Sequence, residues 1–164
     1  MIRLLVLLGL CCVLPFVELS QDFIDDVVRR HNELRMTHGV NNVTEDTTIT
    51  AYAQEWADHL ASTGQFYHRP NNSYGENLAF RWPAYSGAEY VDQLYTDEEA
   101  FYASHSYYGS EPNLNNFAEY GHFTQIVWKA CTKIGVGNNG PFVVINYDAG
   151  NLISTFAVNV LAPQ

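Results

Sequence analysis

Residues 121–129 read Gly121-His122-Phe123-Thr124-Gln125-Ile126-Val127-Trp128-Lys129. This short ordered segment, helix or turn, divides the chain. Immediately before it lies a long loop, Tyr107 to Tyr120, rich in Asn, Gly and aromatics. Further upstream the periodicity is helical. Ser86-Gly87-Ala88-Glu89 has capping-box spacing and opens a helix whose stripe is Val91, Leu94, Tyr95, Glu98 and Tyr102. Residues 65–85 read as loop. Thr48 to Thr63 carries the cleanest stripe, Ile49, Tyr52, Ala53, Trp56, Ala57 and Leu60, and Gly64 ends it. Asn41 to Thr47 is a polar loop. Asp22 to His38 places Phe23, Val27, His31, Leu34 and His38 on one helical face, with Gly39 as the stop. Downstream the pattern becomes β. Ile134–Gly137 and Phe142–Tyr147 flank Asn138-Asn139-Gly140 as a hairpin, and Thr155–Val160 alternates as a last strand with Phe156, Val158 and Val160 on one face. Helices first and strands later predict an α+β layered fold rather than a βαβ doubly wound one.

Composition limits what this fold can do. The 164 residues are 47% hydrophobic and 16% charged, which excludes a disordered tail, a collagen-like rod and a pure coiled coil. Lys+Arg is 8 against 18 Asp+Glu, a net charge of −10. That excludes a basic nucleic-acid footprint, and an anionic membrane would repel the chain overall. Arg3 followed by the apolar run Leu4–Val17 is too short to span a bilayer, which needs ~20 residues. It reads as a secretory signal peptide over residues 1–20, leaving 21–164 as one secreted, extracellular domain with no transmembrane segment. Cys11 and Cys12 fall in that leader. Cys131 is then a lone free thiol without an internal disulfide partner, and the core must hold the fold. Asn42-Val43-Thr44 and Asn71-Asn72-Ser73 are N-glycosylation sequons.

Chemistry is sparse. There is no G-x-S-x-G elbow, P-loop, G-x-G-x-x-G, H-E-x-x-H or C-x-x-C. His31, His38, His59, His68, His105 and His122 are not separated by spacing alone. Glu98 is anomalous, because a carboxylate on an apolar stripe must be paired, protonated or functional, unless it sits at a solvated rim. Gly75-Glu76-Asn77 and Gly121-His122 each set an ionisable residue beside a glycine, where other groups can approach closely.

The segment Gly121–Lys129 resembles the strongest signature of the CAP superfamily, the cysteine-rich secretory, antigen 5 and pathogenesis-related proteins. Four further segments agree in order: His31-Asn32-Glu33-Leu34-Arg35 with His38-Gly39, Ala53-Gln54-Glu55-Trp56-Ala57, Gly75-Glu76-Asn77-Leu78-Ala79, and Phe142–Tyr147 with Ala149-Gly150-Asn151. The resemblance implies an α-β-α sandwich of three layers around a mixed, mainly antiparallel sheet. It also implies a cleft lined by two His and two Glu, which fall here on His68, Glu76, Glu98 and His122. Glu99 takes the place of Glu98 if the helix is shifted by one residue. The chain departs from the family in several places. Tyr95 stands where Trp is usual. Cys131 replaces Ser, Thr or Asn. No Pro separates Asp148 from Ala149. The loop between Glu98 and His122, with Tyr107, Tyr108, Phe117 and Tyr120, is long. The lack of disulfides is similar to the Golgi-associated plant-pathogenesis-related subgroup.

The resemblance implies a divalent-metal site, for instance for Zn²⁺, with His68 and His122 as ligands and Glu76 and Glu98 orienting them or a bound water. The implied activity is non-enzymatic binding of a small apolar ligand, a sterol or fatty acid, or of a protein receptor. A metal-dependent hydrolase using the four residues and a purely structural or interaction domain are the alternatives. The aromatic loop is read either as a ligand wall or as core.

Overall fold

The structure is a computed structural model and describes residues 20–164. The leader reading and Cys11 and Cys12 lie outside the described residues, apart from Ser20. The elements in order are α1 (Gln21–Thr37), β1 (Thr44–Glu45), α2 (Thr47–Thr63), β2 (Gly75–Phe80), α3 (Gly87–Ser104), a 3₁₀ turn (Leu114–Glu119), α4 (Gly121–Ile126), β3 (Lys133–Asn139), β4 (Phe142–Tyr147) and α5 (Phe156–Asn159). Among the described residues no helix is long and apolar enough to cross a membrane.

The four strands form one mixed sheet in the order β1-β3-β4-β2, with β1 parallel to β3 and the other two pairings antiparallel. Alternate strand residues feed two separate apolar clusters, as the period of two requires. Leu78, Phe142 and Val144 pack with Ala53, Trp56, Ala57 and Leu60 of α2. Ala79, Ile134, Val136, Val143, Ile145 and Tyr147 pack with residues of α1, α3 and α4 on the other side. Helices therefore cover both faces. On the α2 side β3 offers Gly135 and Gly137, where an added Cβ would come within 2.1 Å and 2.4 Å of the α2 backbone. Only glycine lets helix and strand approach so closely.

The expected helices stand where the patterns place them. Asp46 caps α2, and Ser86 and Glu89 form the capping box of α3. Three expectations need correction. The 65–85 loop contains β2, whose burial does not alternate because both its faces are covered in the middle. The polar loop 41–47 contributes the two-residue β1. Thr155–Val160 is not a strand but the single helical turn α5. Phe156 and Val160 are buried while Val158 is 64% exposed, and a spacing of four fits a helix as well as a strand.

Two polar devices lie inside the apolar core. Arg35 is fully buried and forms no ion pair with a carboxylate among the described residues. Its Nε donates to Asn41 O at 2.8 Å, Nη1 to Ile126 O and Trp128 O at 2.9 Å, and Nη2 to Cys131 O at 2.9 Å. One planar group thus joins four carbonyls, one of them at the last residue of α4; Trp128 O also accepts from Cys131 N at 3.0 Å. The second device is a pair of neutral histidines. His31 Nδ1 lies 2.9 Å from Val27 O and Nε2 lies 2.9 Å from Tyr147 Oη. His38 Nδ1 lies 2.6 Å from Leu161 O and Nε2 lies 2.8 Å from Tyr95 Oη. In each ring Nδ1–H donates to the carbonyl and the tyrosine donates to Nε2. Tyr95 thus uses its hydroxyl where the resemblance has a Trp N–H. Burial pushes the His31 pKa down to about 4 and lowers that of His38.

Two outcomes are expected. Replacing Arg35 by Met takes the donor from the buried Ile126 and Cys131 carbonyls and one of two donors from Trp128 O, and should lower the urea-unfolding free energy by about 3 kcal/mol. Arg35→Lys should recover only part of this, because an ammonium cannot span the fork; an unchanged Met variant would contradict the clamp. The second concerns acid. The unfolded His31 takes up a proton near pH ~6.5 and the folded one only near 4. Its stabilising contribution is therefore complete above the unfolded value and lost as pH falls through this window, by at most about 3 kcal/mol. His38 acts in the same direction. Thermal melts between pH 7 and 4.5 should fall, and His31→Gln should flatten the decline.

Candidate functional site

A cleft of about 390 Å³ opens at one end of the sheet, bordered by His68, Glu76, Asn77, Phe117, Ala118, Gly121, His122 and Asn151. It straddles the edge strand β2. Glu76 shares a face with Leu78 on the α2 side, while Asn77 shares a face with Ala79 on the other. Successive residues of one edge strand thus reach groups from both helical layers.

On the α2 side, Glu76 organises the preceding loop. Its Oε1 accepts from His68 Nδ1 at 2.8 Å and from Arg69 N at 2.9 Å. Its Oε2 accepts from Asn72 Nδ2 at 2.8 Å and Asn146 Nδ2 at 3.3 Å. The neighbours of His68 fasten the loop to α2. Trp56 Nε1 donates to Tyr67 O, and the Arg69 guanidinium lies 3.7 Å over the Tyr52 ring and donates to Tyr52 O. Glu76 is 4% exposed at its side chain, whereas His68 is 65% exposed.

On the opposite side, Glu98 reaches from α3 to the start of α4. Its Oε1 accepts from His122 Nδ1 at 2.5 Å, and its Oε2 from His122 N at 2.8 Å and Phe123 N at 3.0 Å. No side chain of its own caps α4, so Glu98 does so from another helix. The buried-stripe carboxylate is thereby accounted for. Glu99 takes a different part, accepting from Tyr108 Oη at 2.7 Å.

The two halves repeat one arrangement. Each carboxylate holds a histidine by Nδ1 and also the backbone N–H of the residue after it. Each ring therefore carries its proton on Nδ1 and turns an Nε2 lone pair outward, and neither Nε2 hydrogen-bonds to another described residue. Carboxylate support of this kind orients an imidazole and raises its basicity toward a metal. Among the described residues no group of three or more His, Cys, Asp and Glu is disposed to hold a metal ion. Both carboxylates are already committed to N–H donors. The donor set suits a divalent cation held by two imidazoles with its other positions open, not a closed structural site.

Asn77 and Asn151 border the cleft and were not singled out by the residue patterns. Asn77 Nδ2 donates to His122 O and to Tyr147 Oη, both at 3.1 Å. Asn151 Nδ2 donates to Gly121 O at 2.8 Å and its Oδ1 accepts from Thr124 Oγ1 at 2.8 Å. Their only sequence signal is their place in the motifs around Glu76 and Gly150. The aromatic loop divides: Tyr120 is buried, Tyr107 and Tyr108 pack on the core, and only Phe117 borders the cleft. Asn42 and Asn71 are exposed. Cys131 is buried, and burial pushes its thiol up to about 12, so it packs rather than reacts.

The chain is 38% identical over 159 residues to the secreted protein RBT4 of Candida albicans, covering 87% of this chain and 41% of that protein. It is 35% identical over 158 residues to the human Golgi-associated plant pathogenesis-related protein 1, covering 88% of this chain and 96% of that protein. It thus spans under half of the fungal relative and nearly all of the human one. In three dimensions it is similar to a crystal structure of NaASP2 with Zn²⁺, at a TM-score of 0.62 and 21% identity, covering 92% and 90% of the two chains. Hookworm platelet inhibitor gives 0.59 and 15%, covering 87% of this chain and 79% of that one. These two solved structures bear on the fold alone. A family model for the cysteine-rich secretory protein family, CAP, matches residues 28–140, more than half of the sequence, and the chain belongs to that family.

Proposed function

We propose that this is a secreted, non-enzymatic CAP-domain binding protein whose cleft takes a divalent cation on His68 and His122 and a small apolar ligand beside it. The carrying observation is the repeated imidazole–carboxylate pair, with both Nε2 atoms without a partner among the described residues over one cleft. Glu76 and Glu98 orient the rings. A bound cation such as Zn²⁺ would supply a positively charged centre with open coordination positions. That one structural relative was crystallised with Zn²⁺ supports the choice of probe.

Three features favour binding over hydrolysis. Every carboxylate oxygen of the two pairs already accepts at least one N–H, so both carboxylates serve to hold the rings and the backbone. Cys131 is buried and its thiol is pushed up. None of the two named relatives or two solved structures is named for a catalysed reaction. Support for an apolar ligand, a sterol or fatty acid, comes from Phe117 and Ala118 on the cleft wall and from a volume within the usual range of small-molecule sites. Leu152 and Ile153, each 64% exposed and next to Asn151, extend the apolar rim and could equally meet a protein receptor. Secretion is supported by the apolar leader and by the secreted fungal relative.

Calorimetric titration with Zn²⁺ is expected to give saturable heat for wild type and none for His68→Ala/His122→Ala. Equal heats would remove the cation. Native mass spectrometry of the chain secreted from eukaryotic cells should show loss of about the first twenty residues, glycans at Asn42 and Asn71, and a co-purifying lipid mass. A bare protein mass would leave the cleft without its apolar occupant.

A further inference from the structure

The buried histidine of α1 fixes the direction of one more cleft group, whose role depends on a cation being held by His68 and His122. His31 Nδ1 faces the Val27 carbonyl and carries the proton of the neutral ring, so Nε2 is an acceptor and Tyr147 must donate to it. Tyr147, its one proton given away, can only accept from Asn77, whose Nδ2 lies 3.1 Å from it. The same Nδ2 lies 3.1 Å from the His122 carbonyl oxygen. Turning the amide over would set Oδ1 against that carbonyl and against a hydroxyl with no proton to offer. Both would be acceptor–acceptor contacts, so the amide has one allowed orientation. Nδ2 is spent on His122 and Tyr147, and Oδ1 has no partner among the described residues. Asn77 is 1% exposed, yet its Oδ1 is not among the sealed, unpartnered atoms, which are Tyr102 Oη and Asn146 Oδ1. The space Asn77 borders is the cleft it shares with His68 and His122.

Among the described residues the cleft therefore presents three acceptors without a protein donor: His68 Nε2, His122 Nε2 and Asn77 Oδ1. A hydrated cation brings positive charge to the two imidazoles and O–H donors to Oδ1. The geometry points to Asn77 as the positioning residue of the cleft, its Oδ1 accepting from a water carried by the cation on the two imidazoles. The one-way chain Tyr147 to His31 and Asn77 to Tyr147 holds that acceptor in place, so a hydroxyl that never touches the cation sets how tightly it binds.

The test uses the full chain with Zn²⁺ calorimetry and Co²⁺ absorption spectroscopy on wild type, Asn77→Ala and Tyr147→Phe. Tyr147→Phe keeps the ring and both imidazole–carboxylate pairs, and it stands alone if Asn77→Ala does not fold. Asn77→Ala is expected to weaken binding 10- to 100-fold, the range typical of groups that orient metal sites. Tyr147→Phe should act in the same direction, by up to about tenfold, and both should alter the Co²⁺ ligand-field bands. Weaker binding with an unchanged Co²⁺ spectrum would reduce Asn77 to scaffolding and overturn the inference. Wild-type affinity and spectrum in the folded variants would also overturn it while leaving the imidazole site intact. A wild type that takes up neither cation would remove both the imidazole site and the role of Asn77.

Discussion

The guanidinium of Arg35 is the constraint on which the rest of this molecule rests. A buried cation without a carboxylate is costly to place, and burial lowers its pKa. What offsets the cost is a set of four carbonyls: Asn41 in the loop after α1, and Ile126, Trp128 and Cys131 at and beyond the end of α4. A six-residue helix has too few internal hydrogen bonds to hold itself. Arg35 holds the C-terminal end of α4 and Glu98 holds its N-terminal end. His122 is placed because both ends of its helix are tied to other helices rather than because its own segment prefers to be helical.

The same economy explains the carboxylates. Glu98 and Glu76 sit at two places where the chain would leave N–H groups without partners, the first turn of α4 and the turn at Arg69. Each negative charge is surrounded by donors, including a histidine that would otherwise point anywhere. Structure and site are therefore one set of hydrogen bonds. The carboxylates that hold the two imidazoles are the groups that close the backbone accounting at these two turns, and removing either one also removes that capping.

Much of this was legible in the sequence, and the pattern of what was not is instructive. The α2 stripe and the Ser86 capping box are local signals with one reading, and the structure has both. Glu98 was visible as an anomaly on an apolar stripe, and its partner could be named only through the family motifs, since 24 residues separate it from His122. Strand β2 was hidden because Gly75, Glu76 and Asn77 are poor strand formers, the last two with side chains that border the cleft. α5 was misread because Phe156 and Val160 satisfy both periods and Val158 alone discriminates. Arg35 and Asn77 carried no local signal. A buried arginine looks like a solvated one until its carbonyl partners, about 90 residues away in three of four cases, are brought to it.

The two halves of the cleft are not equivalent, and the reason lies in what each histidine is attached to. His122 is held through its ring, its N–H and its carbonyl by α3 and β2, and its side chain is 34% exposed. His68 is held through its ring alone, on a loop fastened to α2 by the residues on either side, and is 65% exposed. The loop that carries His68 is ordered by its neighbours, Tyr67 through its carbonyl on Trp56 and Arg69 through its part-buried guanidinium on Tyr52. The two rings are therefore positioned by different means: His122 by two elements that grip its ring and its backbone together, His68 by the Glu76 carboxylate and by the loop that the same carboxylate ties at Arg69 and Asn72.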